Sequence, residues 1–154
     1  MIKIMFICHG NICRSPMAQS YFSHLVQEKG LSDKFLIESS ATSREELSNP
    51  PHYGTREVLS RHNIKLIKHY SKLITKAEAD EFDYLICMDQ NNISNLKRLI
   101  DKRNYDKIYL LLEFAKINRS ISDPWYTGNF NQTYEDVKLG CEALLDYIIE
   151  NNGL

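Results

Sequence analysis

The chain has 154 residues, with 19 Lys and Arg against 20 Asp and Glu, a formal net charge of −1, 43% hydrophobic residues and 25% charged residues. This is the balance of an ordinary globular protein, and it gives no electrostatic reason to expect nucleic-acid or membrane binding. The length suits one domain over residues 1–154, burying about two thirds of its unfolded surface, and no apolar run reaches the roughly 18 residues that span a bilayer.

Ile2 to Ile7 is a near-continuous apolar run, the pattern of a central parallel strand. The opening MIKIMFIC lacks the long apolar region and small-residue cleavage site of a signal peptide, so this strand is expected to be retained. From Pro16 to Lys29, Met17, Ala18, Tyr21, Phe22, Leu25 and Val26 recur at helical spacing, and Gly30 ends the helix. Phe35 to Ile37 reads as a short second strand feeding a polar loop from Ser39 to Glu46, which Pro50-Pro51 closes. Tyr53 to Arg61 reads as a short helix, and Ile64 to Leu73 as an irregular crossing. Phe82 to Met88 is a third strand, with Asp89 just past it. Gln90 to Asp101 is helical, Ile108 to Leu112 a fourth strand, and Lys116 to Thr133 a polar loop containing Asp123-Pro124. The last helix runs from Tyr134 to Glu150, with Val137, Cys141, Leu144, Leu145, Ile148 and Ile149 on one face. Strands alternating with helices predict a single α/β domain with a four-stranded parallel sheet flanked by helices.

Between the first strand and first helix lies Cys8-His9-Gly10-Asn11-Ile12-Cys13-Arg14-Ser15, with Cys8 and Arg14 at the ends of a C-x5-R loop. A strand entering a helix through such a turn aims backbone N–H groups at one spot, and the helix N-terminus adds about half a positive charge. A phosphate dianion suits that cradle. Arg14 offers a planar fork for two phosphate oxygens. The field that attracts the phosphate also favours a thiolate at Cys8. Gly10 and Asn11 tolerate positive φ in a tight loop, Ser15 can donate to the Cys8 sulfur, and Pro16 fits the first helical turn. A cysteine ending a buried strand is otherwise a small hydrophobe. Cys8, the Ser39 loop and Asp89 all fall at the carboxyl ends of strands, where parallel sheets bind ligands.

The segment Ile4 to Ala18, IMFICHGNICRSPMA, resembles the signature of the low-molecular-weight protein tyrosine phosphatases. Asn49-Pro50-Pro51, HYSKLIT from His69, FDYLICMD from Phe82, Asp123-Pro124-Trp125-Tyr126 and GCEALL from Gly140 resemble the same family, in its order. The resemblance implies a phosphatase I-like fold and a protein-tyrosine-phosphatase acting through a phosphocysteine intermediate on Cys8. It implies a phosphate-binding loop of His9, Gly10, Asn11, Ile12, Cys13, Arg14 and Ser15, with Asp123 as general acid and then base. Trp125 and Tyr126 would wall the phenyl ring; otherwise they are a surface pair packing the loop. Asp-Pro is otherwise a common turn dipeptide. His69 matches a histidine that hydrogen-bonds the loop, and Asp89 an aspartate near the site. His9 stands where relatives often have an apolar residue; it either supports the Cys8 thiolate when charged or lines the rim. Cys13 is either packing or, as a second cysteine the family carries there, a partner for oxidised Cys8. Arg44-Glu45-Glu46 departs from the aromatic or apolar residue many relatives place there, which puts a borrowed substrate preference in doubt.

The implied partner is a phosphotyrosine-containing protein, met by a monomer, with no cofactor, metal, nucleic acid or membrane. Cysteines 8, 13, 87 and 141 form neither a C-x-x-C pair nor a zinc spacing, and Cys87 and Cys141 read as buried thiols, which suits a reducing cytoplasm. A thiol-dependent arsenate reductase would share the loop and match Cys87, but its other cysteine would fall near Ser94, and it has no use for Asp123. A phospho-binding module would keep Arg14 but need neither Cys8 nor Asp123. A P-loop nucleotide hydrolase lacks its G-x-x-x-x-G-K-[ST]. Phosphoarginine and small-molecule esters stay open as substrates.

Overall fold

The computed structural model describes residues 1–154. Ile2–Cys8 forms β1, and Ile4, Met5, Phe6 and Ile7 within it are completely buried. Ile4, Phe6 and Cys8 join one hydrophobic cluster, and Met5 and Ile7 join another. Alternate side chains of β1 therefore meet a layer on each face, which is why the strand reads as an unbroken apolar run.

The sheet order is β2-β1-β3-β4, with β2 at Phe35–Ala41, β3 at Tyr84–Cys87 and β4 at Ile108–Leu110. All three pairings are parallel. The chain leaves β1 for β2 on one side and later places β3 on the other. The loop after β1 thus opens at the point where strand order reverses, the usual position of a ligand crevice.

Three helices cover the first face: α1 (Arg14–Glu28), α2 (Tyr53–Arg61) and, later in the chain, the long α6 (Phe130–Asn152). α3 (Lys76–Glu81) and α4 (Gln90–Leu99) cover the second through Ala79 and Leu96. A single turn, α5 (Pro124–Thr127), sits just ahead of α6. No helix is long and apolar enough to cross a membrane.

Several boundaries differ from the sequence-based expectation. β2 runs on to Ala41 instead of stopping at Ile37, because Ser39 and Ser40 are fully buried in a strand paired with β1 up to Cys8↔Ala41. α1 begins at Arg14, two residues before Pro16. α3 was not expected; Thr75 and Glu78 close a reciprocal capping box at its start. α4 ends at Leu99, short of Asp101, and β4 ends at Leu110, where the chain tightens into a 3-10 turn over Leu111–Ala115. The loop expected over Lys116 to Thr133 contains α5 and the start of α6, which opens at Phe130 because the Asn129 side chain caps it by accepting from the Gln132 N–H. Residues 64–73 are irregular, as expected, apart from a bridge from Leu73 to Ala41.

Candidate active site

β1 ends on Cys8, and five residues later α1 starts on Arg14. The turn between them is held by side chains that reach back to its backbone. Ser71 Oγ donates to the Gly10 carbonyl at 2.8 Å, Thr55 Oγ1 to the Cys13 carbonyl at 3.0 Å, and the His52 N–H to the Ile12 carbonyl at 2.7 Å. Asn11 takes the left-handed conformation at φ 59°, where a short polar side chain is tolerated. Gly10 is not among the positive-φ residues, so the expectation for it is corrected. Its need is space, since a Cβ there would lie 3.3 Å from Glu46 Cγ. No side chain caps α1, so the amide at its first residue, Arg14, remains available to an anion.

Cys8 is only 3% exposed, at the inner end of a cavity of about 100 Å³. The lining includes Gly10, Ile12, Cys13, Arg14, Asp123 and Trp125. Ser15 Oγ lies 3.0 Å from Cys8 Sγ, and the Ser15 N–H points to the same sulfur at 3.4 Å. Behind Ser15 stands a directed chain. Asn11 Nδ2 donates to Ser15 Oγ at 2.8 Å and to Ser39 Oγ at 3.0 Å, and Asn11 Oδ1 accepts from His69 Nε2 at 2.6 Å. Since Ser15 Oγ accepts from Asn11, its own hydrogen is free to point at sulfur. Burial, with Lys72 adding to it, pushes the His69 pKa down to about 4. His69 is therefore neutral at pH 7, and its Nε2 carries the hydrogen that Asn11 receives.

Arg14 is 2% exposed. Its Nη1 donates to Asp89 Oδ2 at 2.7 Å and to the Ile121 carbonyl at 2.8 Å, and its Nη2 lies 3.5 Å from Asp123 Oδ2. Burial works against the guanidinium charge, but Cys8, Asp89 and Asp123 around it outweigh that, and its pKa is raised. Asp89 also caps α4 by accepting from the Asn92 N–H. Asp123 caps α5, its Oδ1 accepting from the Trp125 N–H at 3.0 Å, with Pro124 in the first helical position.

A family model described as low molecular weight phosphotyrosine protein phosphatase matches residues 3–153. The chain belongs to that family. The low-molecular-weight protein-tyrosine-phosphatase PtpA of Staphylococcus epidermidis is 40% identical over 155 residues, covering 100% of this chain and 98% of the relative. The crystal structure of YfkJ from Bacillus subtilis superposes with a TM-score of 0.95 at 38% identity, covering 99% of this chain and 97% of that one. SP-PTP, the low-molecular-weight protein tyrosine phosphatase of Streptococcus pyogenes, gives a TM-score of 0.83 at 40% identity over 97% of this chain and 93% of its own. The protein is thus a phosphatase of this family, with the single-domain α/β fold that the sequence predicts.

Within this phosphatase the candidate site residues read from the sequence fall at or directly behind one cavity. His9, Glu45, Glu46 and Tyr126 complete the cavity lining, while His69 and Asp89 stand behind it. His9 sits on the rim, with Nε2 3.1 Å from Glu45 Oε2. Trp125 and Tyr126 stand open to solvent at 56% and 83%. Cys13 is buried, and its thiol pKa is raised by that burial and then by Cys8 and Asp123. Ser39 and Gln19 are among the supports that sequence reasoning missed. Ser39 was assigned to a loop and lies in β2, where its Oγ donates to Gln19 Oε1 at 2.6 Å. Gln19 escaped notice although it follows Ser15 by one helical turn on the buried side of α1. A polar residue on that side was the available signal.

Proposed function

We propose that this phosphatase hydrolyses phosphotyrosine in proteins through a phosphocysteine on Cys8. The observation that carries the proposal is that a nucleophile and a cation from one loop, Cys8 and Arg14, line one narrow cavity with a carboxylate from a distant part of the chain, Asp123. The Cys8 thiolate attacks phosphorus while Arg14 and the loop amides hold the equatorial oxygens. The P–O bond to the tyrosine breaks, and Asp123 gives the leaving phenol its proton. In the second step Asp123 takes a proton from water, the resulting hydroxide attacks phosphorus, and the P–S bond breaks. The departing thiolate is received by the Ser15 hydroxyl, which Asn11 and, through it, His69 hold in place. Asp89 keeps Arg14 aimed inward.

The depth of Cys8 and the aromatic pair at the mouth favour a long, flat substrate side chain over phosphoserine. Glu45 and Glu46 on the same lining favour a second reading, a cationic phosphoarginine, which comparison of the three phosphopeptides decides. The substrate partner is a phosphotyrosine protein, met by a monomer without nucleic acid or membrane. Four unpaired cysteines suit a reducing cytoplasm.

The test is rapid acid quench of the enzyme mixed with a phosphotyrosine peptide, followed by mass spectrometry. A phosphoryl group on the peptide containing Cys8 is expected. Cys8→Ser should fold, bind phosphate and lose turnover; activity within about tenfold of wild type, a barrier change of only about 1.4 kcal/mol, would refute the assignment.

A further inference from the structure

His52 does not itself line the cavity, yet it is tied to two residues that do, one on each side of the proposed catalytic machinery. Its backbone N–H donates to the Ile12 carbonyl in the phosphate loop at 2.7 Å. Its side chain caps α2, with Nδ1 accepting from the Gly54 N–H at 2.9 Å, which fixes the rotation of the ring. One face of that ring stacks on Phe130 at 5.0 Å and 17°, and Trp125 meets it at 5.7 Å and 82°. Phe130 is itself seated against Gly54, where a Cβ would come within 2.5 Å of its ring. The backbone N–H of Trp125 in turn holds Asp123 Oδ1. A continuous path therefore runs from Ile12 through the His52 ring to Trp125 and on to the carboxylate.

We propose that His52 is a positioning residue for the acid loop: it registers Trp125, and through it Asp123, against the phosphate loop. Trp125 is over half exposed, and the His52 ring is the aromatic neighbour that limits its swing. α5 is one turn long and cannot hold its own orientation. The ring supplies the geometry and the Nδ1 acceptor supplies the helix cap, so the two roles separate by substitution. The proposal rests on Asp123 as the acid.

The experiment compares His52→Asn, which keeps a capping acceptor and removes the ring, with His52→Phe, which keeps a ring and removes the acceptor. His52→Asn is expected to lower kcat on phosphotyrosine by about 10- to 100-fold, the scale of a misplaced catalytic group. The loss should shrink for aryl phosphates with acidic phenols, and inhibition by inorganic phosphate should be unchanged. Trp125 is the single tryptophan, so its emission reports directly: His52→Asn should raise acrylamide quenching and lower anisotropy. His52→Phe should recover both kinetics and emission while melting at a lower temperature. In an Asp123→Asn background, His52→Asn should add nothing.

Losses equal across leaving groups, unchanged activity or emission, additivity with Asp123→Asn, or His52→Phe as impaired as His52→Asn would each overturn the proposal. His52→Gln is a second ring-free variant; if neither it nor His52→Asn folds, His52 is a structural residue and the proposal falls. Should Asp123→Asn alone show no leaving-group dependence, the acid assignment has failed first, and this proposal with it. A steep Asp123→Asn series beside a flat His52→Asn series overturns the positioning role alone.

Discussion

Arg14 Nη2 lies 3.5 Å from Asp123 Oδ2, so the guanidinium and the carboxylate stand on the same side of the cavity. In the proposed mechanism a phosphoryl group held by Arg14 would present its ester oxygen within reach of Asp123. Asp123→Asn is expected to slow phosphotyrosine hydrolysis by about 100-fold or more, the lower end for general acid catalysis. The penalty should fall as the phenol becomes more acidic. Steady-state rates over a series of substituted aryl phosphates provide the check, and a uniform loss would make Asp123 structural.

The other partner of Arg14 is separable from the helix it caps. Asp89→Asn keeps an acceptor for the Asn92 N–H but removes the charge facing a buried guanidinium. Breaking a buried pair from one side costs about 3–5 kcal/mol, and Asp89 is partly open to water, so the lower end applies. Urea denaturation should show that loss, with weaker inhibition by phosphate as Arg14 loses the carboxylate that holds its Nη1.

His69 gives stability a specific pH window. Its pKa is about 4 in the folded chain against an ordinary 6.5. As pH falls below 6.5, the unfolded chain takes up a proton that the folded chain refuses until about pH 4. Folding therefore loses stability progressively between those values, and His69 contributes no slope above them. His69→Gln removes this titration while retaining an amide donor. Denaturation of both chains at several pH values should show wild type losing ground to the variant only in that interval.

Glu45 and Glu46 line the cavity beside His9 and are expected to favour basic residues flanking the phosphotyrosine. Exposed charges are screened, so replacing both by Ala should change the ratio of basic- to acidic-peptide rates by only a few fold, with the effect fading as salt rises. An unchanged ranking at low salt would remove the idea.

Cys13 is held as a thiol by burial, so of the two cysteines Cys8 is the one expected to meet peroxide first. Peroxide would convert the Cys8 thiolate to a sulfenic acid, and the Cys13 thiol would displace water from it to form a disulfide. Dithiothreitol should restore activity in wild type and much less in Cys13→Ser, with phosphate protecting both. Equal recovery, or no linked peptide by mass spectrometry, would leave Cys13 as packing.

The parts of this protein most legible in its sequence are those where local pattern and tertiary need agree. The apolar run of β1 and the spacing of Cys8 and Arg14 are of that kind. Ser39 and Ser40 misled because their polarity reads as loop. Their burial depends, for Ser39, on a hydrogen bond to Gln19, which no local pattern reveals. α3 carries almost no apolar period, and its only local mark is the Thr75–Glu78 cap. The start of α6 was hidden because Phe130 faces a glycine far back in the chain. His52 was invisible for the same reason, since its partners Ile12 and Trp125 meet it only after folding.

Because β1 precedes every strand of its sheet and is a central one, the chain is synthesised with Cys8 far ahead of the groups that meet it. Cys8 emerges first, its second strand neighbour only with Tyr84–Cys87, and Asp123 later still. At typical elongation rates that interval is on the order of ten seconds. A chain interrupted before that point carries the thiol and the arginine but not Asp123, and α6, which covers α1, follows later still. A chain released before Asp123 is made would lack the proposed acid and the helix that covers α1.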